Sequence, residues 1–499
     1  MVPFDRCARW RLHEAYFGRQ GLAPWLEGEV PHQATNNYTF AQAHAALLSD
    51  WAGALTHAGR LPAVEPVALL EVGGGLGQFA AHFLTALRED LGEAGRSLLA
   101  RLTYLFSDVS RTTVAEAVAQ PELAPWVRAG RLVPLVFDAR EPYRARRLDG
   151  SAAPLGAPFA VIANYVCCVL PSKVLRKHAG GWYELHAAAD RPRGANGSGT
   201  WRRLLGEHEW RRLGLEEIFD RPLHRLVLAR ALSESTEAEL AYPYAFLDLI
   251  DTLTGVLRPG GVFLFSDFGD DSYEDRIGLA DRSPVVYGES LAQPVCFPLI
   301  RSFAESTGLT VLESRGGHGA TRSVAVTPGP VPGAVRQSFE ASTLRANAGQ
   351  DLLDFASAAK ALARAGDSSG ALRFYDRCLR LSPRDPLLYL RAGEECLAGG
   401  RCDAAVEYFR RGAAVDEAGE YDFECRIGEA CCWMNEPGRA VDHLRVSARR
   451  RRKPGTYVLL GEAYTALGDR GRARRAYRRA LALEAGQPAA LEGLRLLER

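Results

Sequence analysis

Apolar residues change their period along this chain. Near the start they recur at helical spacing. Phe40, Ala43, Ala46, Leu47, Trp51 and Leu55 fall near one face, and residues 1 to about 60 are expected to be helical. From Val67 short apolar runs take over: VALLEVG, LTYLFSD, RLVPLVFD and FAVIANYV. Amphipathic helices separate the first of them, one from Gly77 to Leu87 and one near Thr112 to Ala119. Buried strands alternating with helices predict βαβ units and a parallel sheet. The segment 180–232 breaks the rhythm with a strand-like WYELHA, a turn cluster from Gly194 to Gly199 and a stretch rich in Arg and Trp. It reads as an insertion over the carboxyl edge of the sheet. A helix from about Glu237 to Leu257 is expected next, stopped by Gly260 and Gly261. GVFLFSDFG then reads as a strand, and LTVLESR and RSVAVTP as a closing antiparallel pair. TPGPVPG, Thr327 to Gly333, has linker composition.

After residue 350 a longer period sets in. The last unit has Tyr457, Leu460, Gly461, Tyr464, Gly468, Ala473, Tyr477 and Ala480. Steps of about 34 residues recover the same spacing. One copy has Glu424, Ile427, Gly428, Cys431, Ala440 and Leu444; another has Tyr389, Ala392, Gly393, Cys396, Ala405 and Phe409. The first has Phe355, Ala358, Ala359, Leu362, Ala371 and Tyr375. Small residues let two helices approach, aromatics fill the gap, and each pair leaves an apolar face for its neighbour. This is the spacing of a tetratricopeptide repeat (TPR). Four copies and a capping helix over 487–499 are predicted.

Composition narrows the function. The formal net charge is +1, so no global field favours nucleic acid, and no apolar run reaches the roughly 18 residues of a membrane span. The N-terminus MVPFDRCARWRLHE lacks a signal-type apolar core, and the ten cysteines show no C-x-x-C pair. A cytoplasmic protein without a metal site is expected, with neither membrane nor nucleic acid as partner. The basic run Arg449 to Lys453 reads as a solvated repeat junction. His178, His186, His208 and His318 lie near the carboxyl edge, where an ordinary satisfied histidine is the default.

The chemistry-bearing signal is ALLEVGGGLGQFA. A strand delivers Glu71, then Gly73, Gly75 and Gly77 lead into a helix whose N-terminus offers free N–H donors. The spacing differs from the dinucleotide G-x-G-x-x-G, which would put Gln78 in the place of the third glycine. The next two strands end on Asp108 and Asp138, and the fourth runs into Asn164 and Tyr165. A carboxylate at the second strand end can accept both hydroxyls of a ribose.

This ordered set resembles class I methyltransferases that use S-adenosylmethionine (SAM). The resemblance covers about residues 65–325. It implies a Rossmann-like α/β sheet with a helical N-terminal lid, followed here by an all-α TPR solenoid. It implies cofactor contacts from Glu71, Gly73, Gly75, Gly77, Asp108, Asp138 and Asn164, with Asp138 near the adenine amine and Asn164 facing the methyl group. The set is also similar to the MidA-like group, which includes arginine-methylating assembly factors of mitochondrial complex I. That group ends its fourth strand in N-E-x-x-D-A-x-P and its fifth in I-D-Y-G. Here Asn164 and Pro171 fit, Tyr165 stands in place of Glu, Cys168 in place of Asp, and the fifth strand offers Ser266, Asp267, Phe268 and Gly269. Tyr165 and Cys168 cannot anchor a guanidinium as a carboxylate does. Catalytic candidates are therefore Asn164, Tyr165 and Asp267.

The expected organisation is a helical segment over 1–60, a methyltransferase domain over 61–330, a linker over 331–350 and the repeats over 351–499. Three functions are compatible with it: a methyltransferase whose repeats recruit a protein or peptide acceptor through their groove, a SAM-binding scaffold with altered chemistry, and a small-molecule methyltransferase whose repeats serve assembly. The sequence sets neither the acceptor nor the oligomeric state.

Overall fold

The computed structural model describes residues 1–26, 30, 35–188, 207–233, 235–270, 285–287, 289–314, 321–346 and 348–498. The chain divides into two compact units, 1–350 and 351–499.

The front unit is built on a mostly parallel sheet. Its strands are β2 (Val67–Val72), β3 (Leu102–Asp108), β4 (Leu132–Val136), β5 (Arg146–Arg147), β6 (Ala160–Ile162), β11 (Val262–Asp270), β14 (Val295–Cys296), β15 (Thr310–Glu313) and β16 (Thr321–Thr327). Their spatial order is β15-β16-β11-β6-β2-β3-β4-β5, with β14 pairing parallel to the last residues of β11. β2 is flanked by β3 on one side and β6 on the other, both parallel to it. The chain therefore reverses its direction of travel across the sheet beside β2, and such a switch point opens a crevice at the carboxyl ends. β16 runs antiparallel to β11 and β15 antiparallel to β16, the closing pair expected. This is the Rossmann-like class I methyltransferase sheet.

Both faces of the sheet are buried, which is why its strands read as continuous apolar runs. One core gathers Phe40, Trp51, Phe79, Phe83 and Tyr104; the other gathers Phe246, Phe263, Phe265 and Phe297. Helix α1 (Ala8–Gln20) and the short α2 (Ala23–Leu26) lie before α3 (Tyr38–His57). α3 starts where the Asn37 side chain accepts the Phe40 N–H at 2.9 Å. It is a core helix, with Trp51 donating to the Gly260 carbonyl at 3.0 Å. Among the described residues of the helical lid expected over 1–60, α2 meets the glycine loop through Trp25, and the turn between α1 and α2 is tied to Glu116 through Leu22.

Two boundaries differ from expectation. A second, antiparallel sheet joins β1 (Val2–Pro3), β7 (Lys173–His178), β8 (Gly181–Ala187), β9 (His208–Arg212) and β10 (Ala238–Tyr242). The inserted sheet thus runs past both ends of 180–232, and the following helix starts at Tyr244 because Ala238–Tyr242 pairs with β7. The cluster Gly194 to Gly199 and His318 lie outside the described residues. The stretch expected as a linker over 331–350 carries the helix Gly333–Ala346, whose Val335 and Phe339 are buried in the first core. Two apolar residues four apart were enough to dock a segment that its prolines and glycines marked as loose.

The second unit is helical throughout. Asp367, Asp385, Asp422 and Asp469 each cap a helix by accepting a backbone N–H. The small positions are packed as the repeat spacing requires. A Cβ on Gly393 would lie 2.3 Å from Phe409, one on Gly428 2.5 Å from Leu444, and one on Gly461 2.4 Å from Tyr477. The final helix, Pro488–Glu498, closes the array by placing Gly493 against Tyr477 and burying Ala490 and Leu497.

Candidate functional site

The crevice beside β2 is lined first by the glycine loop. Gly73 has φ 71°, and a Cβ there would meet Val166 at 3.0 Å. Gly77 has φ 76°, begins the helix Gln78–Glu89, and would drive a Cβ to 2.4 Å from Leu123. Any other residue at Gly77 meets both a left-handed backbone and a buried side chain. Gly75 is tied to the next strand: its N–H donates to Asp108 Oδ2 at 3.2 Å. The other carboxylate oxygen, Oδ1, accepts the Ser110 N–H at 3.0 Å. Asp108 is buried, and that burial raises its pKa against the three backbone donors, Ser110, Gly75 and Val109, that lower it. A carboxylate offers about four acceptor sites, so a ligand hydroxyl can still donate to it.

Glu71 lies elsewhere. It is buried and accepts the Tyr104 hydroxyl at 2.9 Å. Burial pushes its pKa up to about 8, the Tyr104 hydrogen bond partly offsets this, and the charge of Asp108 adds to the rise. Glu71 is therefore a neutral acid at pH 7, bound to β3. Asp138 is also committed. Arg140 clamps both its oxygens, at 3.0 and 2.7 Å, and the Arg140 N–H adds a third bond at 2.9 Å. Burial alone would raise its pKa, but the Arg140 bonds outweigh this and lower it.

The fourth strand ends in an unusual turn. Asn164 holds both its side-chain amide atoms buried with no hydrogen-bond partner among the described residues. A buried amide with neither end satisfied costs free energy unless something else fills its needs. Tyr165 has φ 55°, donates its N–H to the Ser266 carbonyl at 2.8 Å, and places its hydroxyl 2.9 Å from Thr321 Oγ1. Its ring stacks on Phe268 with centroids 6.0 Å apart.

Asp267 is fully buried. Its Oδ2 accepts the Cys168 N–H at 3.0 Å and its Oδ1 the Phe268 N–H at 2.9 Å. Burial moves its pKa up to about 7 despite these donors. It staples the turn that follows Tyr165. Cys168, beside it, is a buried thiol whose pKa is raised by burial and by Asp267. It is inert as a nucleophile. The crevice thus brings together the glycine loop, Asp108 and Asn164, with Tyr165 at the same strand edge. It leaves Glu71, Asp138 and Asp267 bound to protein groups.

Two contributors escaped the sequence reading. His13 on α1 accepts the Leu291 N–H at 2.9 Å and also bonds the Val169 carbonyl, so it joins the N-terminus to the turn after Tyr165. Trp25 on α2 touches the glycine loop: a Cβ on Gly75 would lie 3.5 Å from its indole. The spacing Trp10, His13, Phe17 on one helical face was the available signal. Among the described residues no cluster of His, Cys, Asp and Glu could hold a metal, and no helix is long and apolar enough to cross a membrane.

Comparison with known proteins gives partial matches. The tetratricopeptide repeat family model matches residues 454–486. No curated protein matches. Among solved structures, a candidate methyl transferase from Burkholderia thailandensis, bound to S-adenosyl-homocysteine, is 17% identical over 65% of this chain and 87% of its own, with a TM-score of 0.41. MamA from Desulfovibrio magneticus is 17% identical over 30% of this chain and 93% of its own (TM-score 0.26). The first TPR domain of human RPAP3 is 22% identical over 23% and 91% (TM-score 0.22).

Proposed function

With a class I methyltransferase sheet in its front unit and tetratricopeptide repeats at its end, we propose that this chain binds SAM and transfers its methyl group to a protein or peptide held by the repeats. The observation that carries the reading is the crevice at the switch point. There the glycine loop, the Asp108 carboxylate and an Asn164 amide with no partner among the described residues converge. These residues fit the cofactor. Asp108 can accept the ribose hydroxyls, and Asn164 can satisfy the polar atoms beside the methyl group. When bound, SAM supplies a methyl group on a sulfonium, an electrophile that needs only an aligned nucleophile. The chain's part is alignment and exclusion of water by α1 and α2.

The acceptor side is plain. Asp267 is stapled, Tyr165 is bonded to Thr321, and no carboxylate of the expected set is free to hold a guanidinium or take its proton. That observation supports a second reading, a SAM-binding scaffold that has lost transfer. Calorimetry with S-adenosylhomocysteine (SAH) tests what the two share. Saturable heat is expected, and none at millimolar ligand would end both. Incubating the protein with methyl-labelled SAM and a peptide library separates them, since label in a peptide supports transfer.

A further inference from the structure

We infer that Trp25 is a cofactor-contacting residue, its indole bordering the adenosine end of the ligand; this rests on the SAM reading above. α2 is anchored to the helix that follows Asp108. Leu22 donates its N–H to Glu116 Oε2 at 2.9 Å, and Gly21, at φ 55°, packs so tightly there that a Cβ would lie 2.3 Å from the same carboxylate. Glu116 belongs to the helix Arg111–Ala119, which follows directly on Asp108. Ser110 strengthens the tie. Its N–H donates to Asp108 Oδ1 and its hydroxyl to the Phe17 carbonyl, at 3.0 and 3.4 Å. The α1–α2 turn is therefore registered on the βα unit that presents the ribose-binding carboxylate.

That register puts Trp25 over the loop. The benzo edge of the indole stands 3.5–3.9 Å from where a Gly75 Cβ would be. Gly75 is the residue whose N–H reaches Asp108. One face of the indole is covered by Phe17, stacked at 4.8 Å and 20°. Phe17 meets His13 edge-on at 5.9 Å, His13 meets Trp10 at 5.3 Å, and Trp10 meets Phe4 at 6.0 Å. Among the described residues Trp25 is the last ring of this row, and it is still partly exposed. A ring fixed on one face and open beside a nucleoside-binding carboxylate is placed to pack against a sugar or base.

Titration with SAH on the full chain tests this by affinity and by indole fluorescence. Trp25→Ala should weaken SAH at least fivefold. Trp25→Phe keeps a ring and should stay within threefold. SAH should change the emission of the wild type and of Trp126→Phe, and change that of Trp25→Phe much less. An affinity for Trp25→Ala within twofold of wild type, or an undiminished emission response in Trp25→Phe, overturns the inference. A wild type that does not bind SAH overturns the cofactor reading, and this inference with it.

Discussion

Three carboxylates that look alike in the sequence end up in three states. Asp108 is a buried carboxyl held only by backbone donors, with acceptor capacity to spare. Glu71 is a neutral acid held by Tyr104. Asp138 is an anion already spent on Arg140. Their substitutions should therefore separate. Asp108→Ala should weaken SAH more than tenfold, because each charge-assisted hydrogen bond to a ribose hydroxyl contributes roughly 1.5–3 kcal/mol. Glu71→Gln should leave SAH affinity within threefold, since an amide keeps an oxygen for the Tyr104 hydroxyl. Calorimetry on the two variants checks both. Equal losses would show that Glu71 reaches the ligand. Sequence order located the strand ends correctly, but could not tell these states apart. Whether a carboxylate is free depends on Tyr104, which only the folded sheet brings alongside Glu71, and on the rotamer of Arg140, which its nearness to Asp138 in sequence does not fix. The same holds for Asp267, which is committed to the backbone of a turn about a hundred positions away in sequence.

Elements are held in place by buried neutral imidazoles. His13 on α1, His44 on α3 and His224 on the helix Pro222–Ala231 all have pKa values lowered to about 4, in each case chiefly by burial. An imidazole near 6.5 when unfolded and near 4 when folded binds its proton first in the unfolded chain. Its contribution is complete above pH 6.5 and is lost as pH falls toward 4. Glu71 and Asp267 act in the opposite sense, because their raised values favour the folded state at lower pH. Comparison with one variant isolates the histidine part. The stability gap between wild type and His44→Gln should shrink by up to roughly 3 kcal/mol as pH drops from 6.5 to 4, measured by denaturant titration. A gap that does not change with pH would mean His44 is charged or solvated in the fold. At this scale the strands and repeats were legible, because short continuous apolar runs and periods of 3.6 and 34 residues survive in a single sequence. The inserted sheet was only half legible. β7 and β10 lie about 65 positions apart, and a long-range antiparallel pairing leaves no local period.

At the scale of the whole molecule the chain behaves as two units, and the last prediction follows from where their cores lie. Every residue assigned to the cofactor falls within 1–350, and the cores on both faces of the sheet are built from residues of that unit. The helix Gly333–Ala346 belongs to the first of those cores through Val335 and Phe339, so a cut at 330 would strip it. A front fragment should therefore end near Gln350, and it should bind SAH as the full chain does. The same fragment ended at Pro330 should be less stable, by roughly 2–5 kcal/mol for two large apolar side chains removed from a core. The repeats make a complementary case. Each depends on its neighbours, and the closing helix Pro488–Glu498 covers the face that the last pair would expose. Residues 351–499 should fold alone and unfold cooperatively, while removal of 487–499 should lower the thermal midpoint by exposing Tyr477 and Ala480. If the repeats recruit the acceptor, methylation by the front fragment should fall at low acceptor concentration and recover at high concentration, because tethering raises local concentration without changing the site. Circular dichroism of the repeat fragment, SAH calorimetry of the two front fragments and label transfer at two acceptor concentrations decide it. A repeat fragment that stays unfolded, or a front fragment to Gln350 that cannot bind SAH, would show that the two units complete one another's cores.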